Sequence, residues 1–274
     1  MKPILILFLS CFFTVAVWGQ NQLPNTNIDE ITDIGKALYR SEMTSWLGTD
    51  AFMANFKSLR AKTGGYFSYE KDSMLHCIFY SKDSISKVLC VISFDRNFSS
   101  NVSQLDQIER PFTTEEQDYY ELRKAAQKAL LTDTIFKFYE NTNPNIVPLI
   151  RNGVKSVYVL TGPKSDNVVI IGNDYLLSFN QHNELQGIKK LHKNIIPISY
   201  TNSDSASVTM HSHLPETGDY ITPTDICTLM LYEKAAKWEQ HIVMSKNHVT
   251  IWDCKNNRAA ALTREAWEKI QKNY

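Results

Sequence analysis

Residues 206–238 constrain the fold most, because they predict a strand, a loop and a helix in a fixed order. The predicted strand is ASVTMHSH, and the predicted helix is TPTDICTLMLYEKAAKW. Thr222 suits the N-cap, Pro223 suits the first helical position, and Asp225 falls at the third. The sequence therefore predicts that one loop connects the end of a strand to a capped helix start.

Two histidines in this stretch indicate a metal site. Residues i and i+2 of a strand face the same side, so His211 and His213 present two imidazoles together. Imidazole is a common zinc ligand, and the carboxylate of Asp225 would complete a set of two nitrogens and one oxygen. Three protein ligands leave a fourth position for water, as catalytic zinc sites require. A second interpretation needs no metal, since Thr222 and Asp225 also match a helix capping box.

The segment HSHLPETGDYITPTD resembles the zinc motif of the JAB/MPN (JAMM) metalloproteases, whose pattern is His-x-His, seven residues and Ser-x-x-Asp. The resemblance covers roughly residues 155–255 and leaves residues 20–150 uncovered. It implies a mixed sheet with flanking helices and one Zn²⁺ held by His211, His213 and Asp225. It also implies hydrolysis of a peptide, isopeptide or related amide bond.

The resemblance also assigns catalytic roles. Thr222 takes the serine position, where its hydroxyl would stabilise an oxyanion. Eight residues, rather than seven, separate His213 from Thr222, and Leu214 stands where the family has proline. The family's proton-carrying glutamate has no counterpart at the head of the early strand. Asp174 lies nearest to the expected place, and Glu216 in the loop is the other candidate for that role.

The missing glutamate leaves a second function open. In that alternative the chain is a non-catalytic exported module on a JAMM-like fold, which binds metal weakly or not at all. Its partner would be a protein or a cell-wall component, whereas the hydrolase would act on a protein, peptide or cell-wall substrate. Composition indicates no nucleic-acid partner, because 29 basic and 29 acidic residues balance and the basic residues form no run.

Four further side chains carry potential chemistry. His192 and His241 fall in predicted strands and are interpreted as half-buried structural histidines, with supporting contacts to the metal ligands as the alternative. Cys77 and Cys90 would face each other in a hairpin that turns at Asp83-Ser84. They could form a cross-strand disulfide or remain two buried thiols.

The N-terminus predicts export. Lys2 precedes an apolar run from Ile4 to Val17, and small residues near Gly19 indicate cleavage after that position. The mature chain is expected to be periplasmic or extracellular, without a membrane span.

The chain is expected to have an α+β fold: an N-terminal α+β unit followed by a JAMM-like mixed sheet with flanking helices. Helix signals over residues 29–48 and 112–133 flank a predicted strand meander, and residues 141–148 are interpreted as a boundary loop. The predicted organisation is a signal peptide over 1–19, a leader over 20–28, an N-terminal domain over 29–140 and a JAMM-like domain over 150–274.

Overall fold

The computed structural model describes residues 25–99, 102–201 and 207–272. The predicted signal peptide, residues 1–19, lies outside them, as does the leader up to residue 24. Within the described ranges, no helix combines the length and the apolar character that crossing a membrane requires.

The first half of the chain contains two long helices and a run of strands. Its elements are α1 (Asn25–Asn55), a 3₁₀ helix (Lys57–Lys62), β1 (Thr63–Lys71), β2 (Met74–Ser81), β3 (Val88–Asp95), β4 (Gln104–Arg110) and α2 (Thr114–Thr132). Thr113 and Glu116 form the predicted capping box of α2.

The second half consists mostly of short strands. Its elements are β5 (Thr142–Arg151), β6 (Val154–Pro163), β7 (Val168–Gly172), β8 (Tyr175–Phe179), β9 (Leu185–Lys190), β10 (Ile195–Ser199), β11 (Ser207–Ser212), α3 (Pro223–Ala236), β12 (Trp238–Met244), β13 (His248–Asp253), β14 (Arg258–Thr263) and α4 (Arg264–Lys272). Helices and strands together confirm the α+β class.

The strands of the described residues form four sheets. The first is the predicted meander, in the order β1-β2-β3-β4, and the second has the order β5-β6-β8-β9. Strands β7 and β10 pair antiparallel by themselves. The fourth sheet, β11-β12-β13-β14, is mixed, because β11 and β12 are parallel and α3 crosses between them. This crossover brings the start of α3 to the end of β11.

Helix α1 differs from its prediction at both ends. It begins at Asn25, inside the predicted leader, and continues past Gly48 to Asn55. Gly48 does not end the helix; its missing side chain allows close packing, since a Cβ there would lie 2.6 Å from the Cβ of Cys77. The glycine signal therefore reflects tertiary packing against β2 rather than a helix end.

The cysteine pairing also differs from the prediction. Tyr80 pairs with Val88, one residue away from the predicted register, and a β-bulge between Phe79 and Tyr80 shifts the pairing by one more, so Cys77 lies opposite Ile92 and Phe79 lies opposite Cys90. Both cysteines are buried free thiols. The expectation that they face each other directly is wrong.

Both long helices pack across the predicted domain boundary. Leu38 of α1 shares a hydrophobic cluster with Val147 of β5 and Cys227 of α3. On α2, Tyr119 packs with Phe67 of the first sheet, while Leu122 packs with strands β6 and β8. Residues 141–148, interpreted as a boundary loop, lie mainly in strand β5. The two halves therefore share their cores.

The contact between α1 and α3 generates a first prediction. A Cβ on Gly35 would lie 2.6 Å from both Cβ and Cγ2 of Ile226, so the helices must separate in Gly35→Ala. We expect this variant to lose about 1–2 kcal/mol of unfolding free energy in urea, although alanine normally favours a helix interior by about 0.5–1 kcal/mol. The exposed Asp33→Ala on the same helix should change stability by less than about 0.5 kcal/mol. Equal or greater stability of Gly35→Ala would contradict the packing.

Candidate metal centre

Four buried side chains converge in the second half of the chain and could hold a metal ion. Each offers one ligand atom, and these atoms all lie within 4.8 Å of one another. The exposed fraction is 7% or less for each residue. We call them the four-residue cluster: His192, His211, His213 and Asp225.

Most of the distances within the cluster match those of a tetrahedral metal site. The Nε2 atom of His213 lies 2.9 Å from that of His211 and 3.2 Å from that of His192. Asp225 approaches His213 at 3.2 Å, His192 at 3.4 Å and His211 at 3.7 Å. Ligand atoms on a tetrahedral zinc ion lie about 3.3 Å apart, because zinc–nitrogen bonds are about 2.0–2.1 Å long. The cluster therefore fits an ion of this size.

The chemistry of the donor atoms also fits a cation. Three Nε2 atoms face one another, and two imidazoles at hydrogen-bond distance need a proton between them. A metal ion instead accepts the lone pairs of all three rings at once. The Oδ1 atom of Asp225 points to the same region and is buried without a hydrogen-bond partner. A zinc ion would satisfy this orphaned oxygen and the three nitrogens together.

The helix cap orients the carboxylate of Asp225. The backbone N–H of Thr222 donates to Asp225 Oδ2 at 2.9 Å, and the Asp225 N–H donates to Thr222 Oγ1 at 3.1 Å. These two bonds are the predicted capping box. Oδ2 is thus held by the backbone and also faces His213, while Oδ1 faces His192 and His211 and has no hydrogen-bond partner. The capping and metal interpretations are therefore compatible.

His211 is positioned by a chain of hydrogen bonds. Its Nδ1 lies 2.7 Å from Nε2 of His241, and Nδ1 of His241 lies 2.7 Å from Oγ1 of Thr209. If Nε2 of His211 presents its lone pair to a metal, its Nδ1 carries the proton and donates to His241. The ring of His241 then donates to Thr209, so every polar atom in the chain has a partner. This is the usual way in which a metal-binding histidine is oriented.

His192 reaches the cluster from the turn between β9 and β10. The Leu191 N–H donates to the carbonyl of Asp174 at 2.8 Å, and His192 Nδ1 lies 3.4 Å from Asp174 Oδ2. Gly172, with φ of +93°, makes this approach possible, because a Cβ there would clash with the carbonyl oxygen of Asn194. The end of β7 and the turn before β10 therefore fit together only around a glycine.

The electrostatics of the cluster favour a cation at its centre. Burial disfavours charge on His192, but the carboxylates of Asp225 and Asp174 outweigh it and raise the pKa of His192 to about 10. Burial lowers the pKa of His211 to about 3, although Asp225 opposes this effect. Burial also disfavours charge on Asp225, yet the neighbouring histidines hold the pKa of its carboxyl well below the usual range. His211 and Asp225 are thus already in the forms that bind metal, a neutral imidazole and an ionised carboxylate, whereas His192 would release its proton on binding.

The structure brings together three of the six site residues predicted from sequence. His211, His213 and Asp225 come together as expected. Asp174 is buried behind His192, where burial raises the pKa of its carboxyl. Glu216 is exposed in the loop and is not part of the cluster.

Thr222 uses its hydroxyl in the cap and lies 3.0 Å from the hydroxyl of Thr224. Its predicted role towards an oxyanion stays a prediction.

Sequence reasoning missed His192 as a ligand candidate and favoured a structural role for His241. His192 precedes His211 by nineteen residues, and no spacing pattern connects the two. Its position depends on the pairing of β7 with β10, which the local sequence does not specify. His241 lies opposite Thr209 in the parallel pair β11–β12, so only the strand register reveals its contact with His211.

Comparison with protein-family models, curated proteins and solved structures finds no match to this chain. The resemblance to the JAMM metalloproteases therefore stays a prediction.

Two substitutions should separate the cap from the metal site. Thr222→Val removes the hydroxyl that accepts from the Asp225 N–H, so we expect the metal-free protein to lose about 1 kcal/mol of unfolding free energy and to bind zinc as the wild type does. Asp225→Asn keeps an oxygen for the Thr222 N–H but removes the charge, so we expect at least about a tenfold loss of zinc affinity. Urea unfolding of the metal-free protein and chelator competition measure the two effects. Equal loss of zinc in both variants would show that the cap and the metal site are not separable.

Proposed function

We propose that this chain is an exported zinc-binding protein in which His192, His211, His213 and Asp225 hold one Zn²⁺. The convergence of four buried donor atoms within 4.8 Å carries this proposal. Two imidazoles on one strand and a helix-start carboxylate are the donors that the JAMM resemblance implies. His192 adds a fourth.

The number of protein ligands favours a non-catalytic role. Structural zinc sites are closed by four protein ligands, whereas catalytic sites keep one position for water or substrate. With His192 as the fourth ligand, the cluster has no such position. The ion would connect the turn before β10, the end of β11 and the start of α3. The protein is then a metal-stabilised binding module, and its partner is a protein, a peptide or a cell-wall component.

A zinc-dependent hydrolase is the second candidate, and the contact between Asp174 and His192 favours it. In this version His211, His213 and Asp225 are the ligands, as in the JAMM pattern, and zinc supplies an activated water. His192 lies beside them with Asp174 behind its Nδ1, at 3.4 Å. This pair would hold and move the proton that the family assigns to a glutamate, and the substrate would be a peptide, isopeptide or related amide.

Metal content tests the site itself. We expect about one zinc per chain in the purified mature protein by mass spectrometry, since four converging ligands suffice for a stable site. His211→Ala/His213→Ala should contain none. His182→Ala is the matched control, because this histidine is exposed in a turn, and it should keep the zinc. A wild-type chain that takes up no zinc even when zinc is offered would refute the proposal.

His192→Ala distinguishes the two functions. If His192 is a ligand, its loss should weaken zinc binding by more than the ~10- to 100-fold that losing an outer hydrogen-bond partner costs. If it carries protons for a hydrolase, the variant should keep its zinc and lose turnover. Zinc affinity is measured by chelator competition, and turnover with fluorogenic peptides and lysine-linked isopeptides. Zinc-dependent cleavage by the wild-type chain would overturn the non-catalytic role; its absence, together with weak zinc binding by His192→Ala, would overturn the hydrolase.

A further inference from the structure

A second polar site lies away from the metal cluster, where α1 meets the first two sheets. Two cavities of about 380 and 410 Å³ share the side chains of Arg40, Arg96 and Arg151. Arg40 comes from α1, Arg96 follows β3, and Arg151 ends β5. Three arginines from distant parts of the chain therefore line one concave surface, which we call the arginine pocket.

The carboxylates in the pocket do not balance its cations. Glu70 is shared by two arginines: its Oε2 lies 2.9 Å from Nε of Arg40, and its Oε1 lies 2.6 Å from a terminal nitrogen of Arg96. Both oxygens of Glu70 are thus occupied. Five cations line the two cavities together, the three arginines with Lys36 and Lys71, against three carboxylates, Asp33, Glu70 and Asp72, so positive charge is in excess by two.

Several arginine nitrogens remain available for another acceptor. Arg40 reaches Glu70 through Nε, which leaves the two terminal nitrogens of its guanidinium. The NH1 nitrogen of Arg151 is buried and has no hydrogen-bond partner. A buried donor without a partner is destabilising, and Arg151 lines both cavities, so an acceptor in the pocket towards which this guanidinium turns would stabilise the folded chain.

The position of Arg151 is fixed by the backbone. Arg151 and Val154 are the last residue pair between strands β5 and β6. Asn152 and Gly153 form the turn between them, with φ of +49° and +76°. A tight hairpin therefore holds the base of this side chain at the pocket. Such rigidity reduces the entropic cost of binding a ligand.

We propose that the arginine pocket binds a small organic molecule through an oxyanion group, either a phosphate or a carboxylate. Guanidinium groups match both oxyanions through paired, charge-assisted hydrogen bonds. The larger part of the ligand would occupy the neighbouring cavity of about 380 Å³, which is the lower end of the range for small-molecule sites. The exposed hydroxyl group of Ser73 on its lining suits a polar ligand.

Isothermal titration of the full mature chain at constant ionic strength tests this proposal. The probes are glucose 6-phosphate, glucuronic acid and glucose, which share a ring and differ in the oxyanion. We expect saturable binding of at least one of the two anions and none of glucose. Preference for one anion identifies the group, phosphate or carboxylate, that the pocket recognises.

Variants assign the binding to the pocket. Arg151→Gln should weaken the anion about 10- to 100-fold, as expected for the loss of one charge-assisted hydrogen bond, and Arg151→Lys should restore part of it. Arg258→Gln, on the exposed face of β14, is the matched control and should bind as the wild type does. Circular dichroism confirms that each variant is folded. Absence of saturable binding of both anions, or equal affinity in wild type and folded Arg151→Gln, would overturn the proposal.

Discussion

The buried carboxylate of Asp225 is the charge on which the arrangement of the second half depends. A buried anion is costly unless a cation or several donors surround it. The N-cap of α3 supplies the Thr222 N–H to Oδ2, which His213 also approaches, while His192 and His211 approach Oδ1. In the absence of a metal, a proton on His192 supplies the opposing charge. A zinc ion would also supply positive charge opposite Asp225, and unlike a proton it would bind the lone pairs of all three imidazoles.

This constraint connects segments that are distant in sequence. The parallel pair β11–β12 places His241 behind His211, and the crossover helix α3 returns Asp225 to the end of β11. The separate pair β7–β10 brings His192, with Asp174 behind it, to the remaining side. A single ion would therefore hold together elements that belong to different sheets. For this reason a structural role of the metal is consistent with a chain that contains many short strands.

Local patterns predicted the parts of the structure that local physics determines. Strand alternation placed His211 and His213 on one face, and cap chemistry placed Asp225 at the helix start. Strand β5 was missed because its prolines and asparagines suggest a loop, yet an edge strand tolerates proline since one side of its backbone is unpaired. The predicted cysteine pairing is wrong because the turn and one bulge each shift the strand register by one residue. The position of His192 requires sheet pairing and a glycine contact that no sequence window contains.

Helix α1 packs against both halves of the chain. Gly35 gives it a close contact with α3, and Gly48, thirteen residues later, gives it another with β2. At 1.5 Å per residue these contacts are about 20 Å apart along the helix. Between them, Arg40 lines the arginine pocket. Helix α1 therefore packs against α3, which carries Asp225, and also supplies part of the arginine pocket. Both polar sites depend on how this one helix packs.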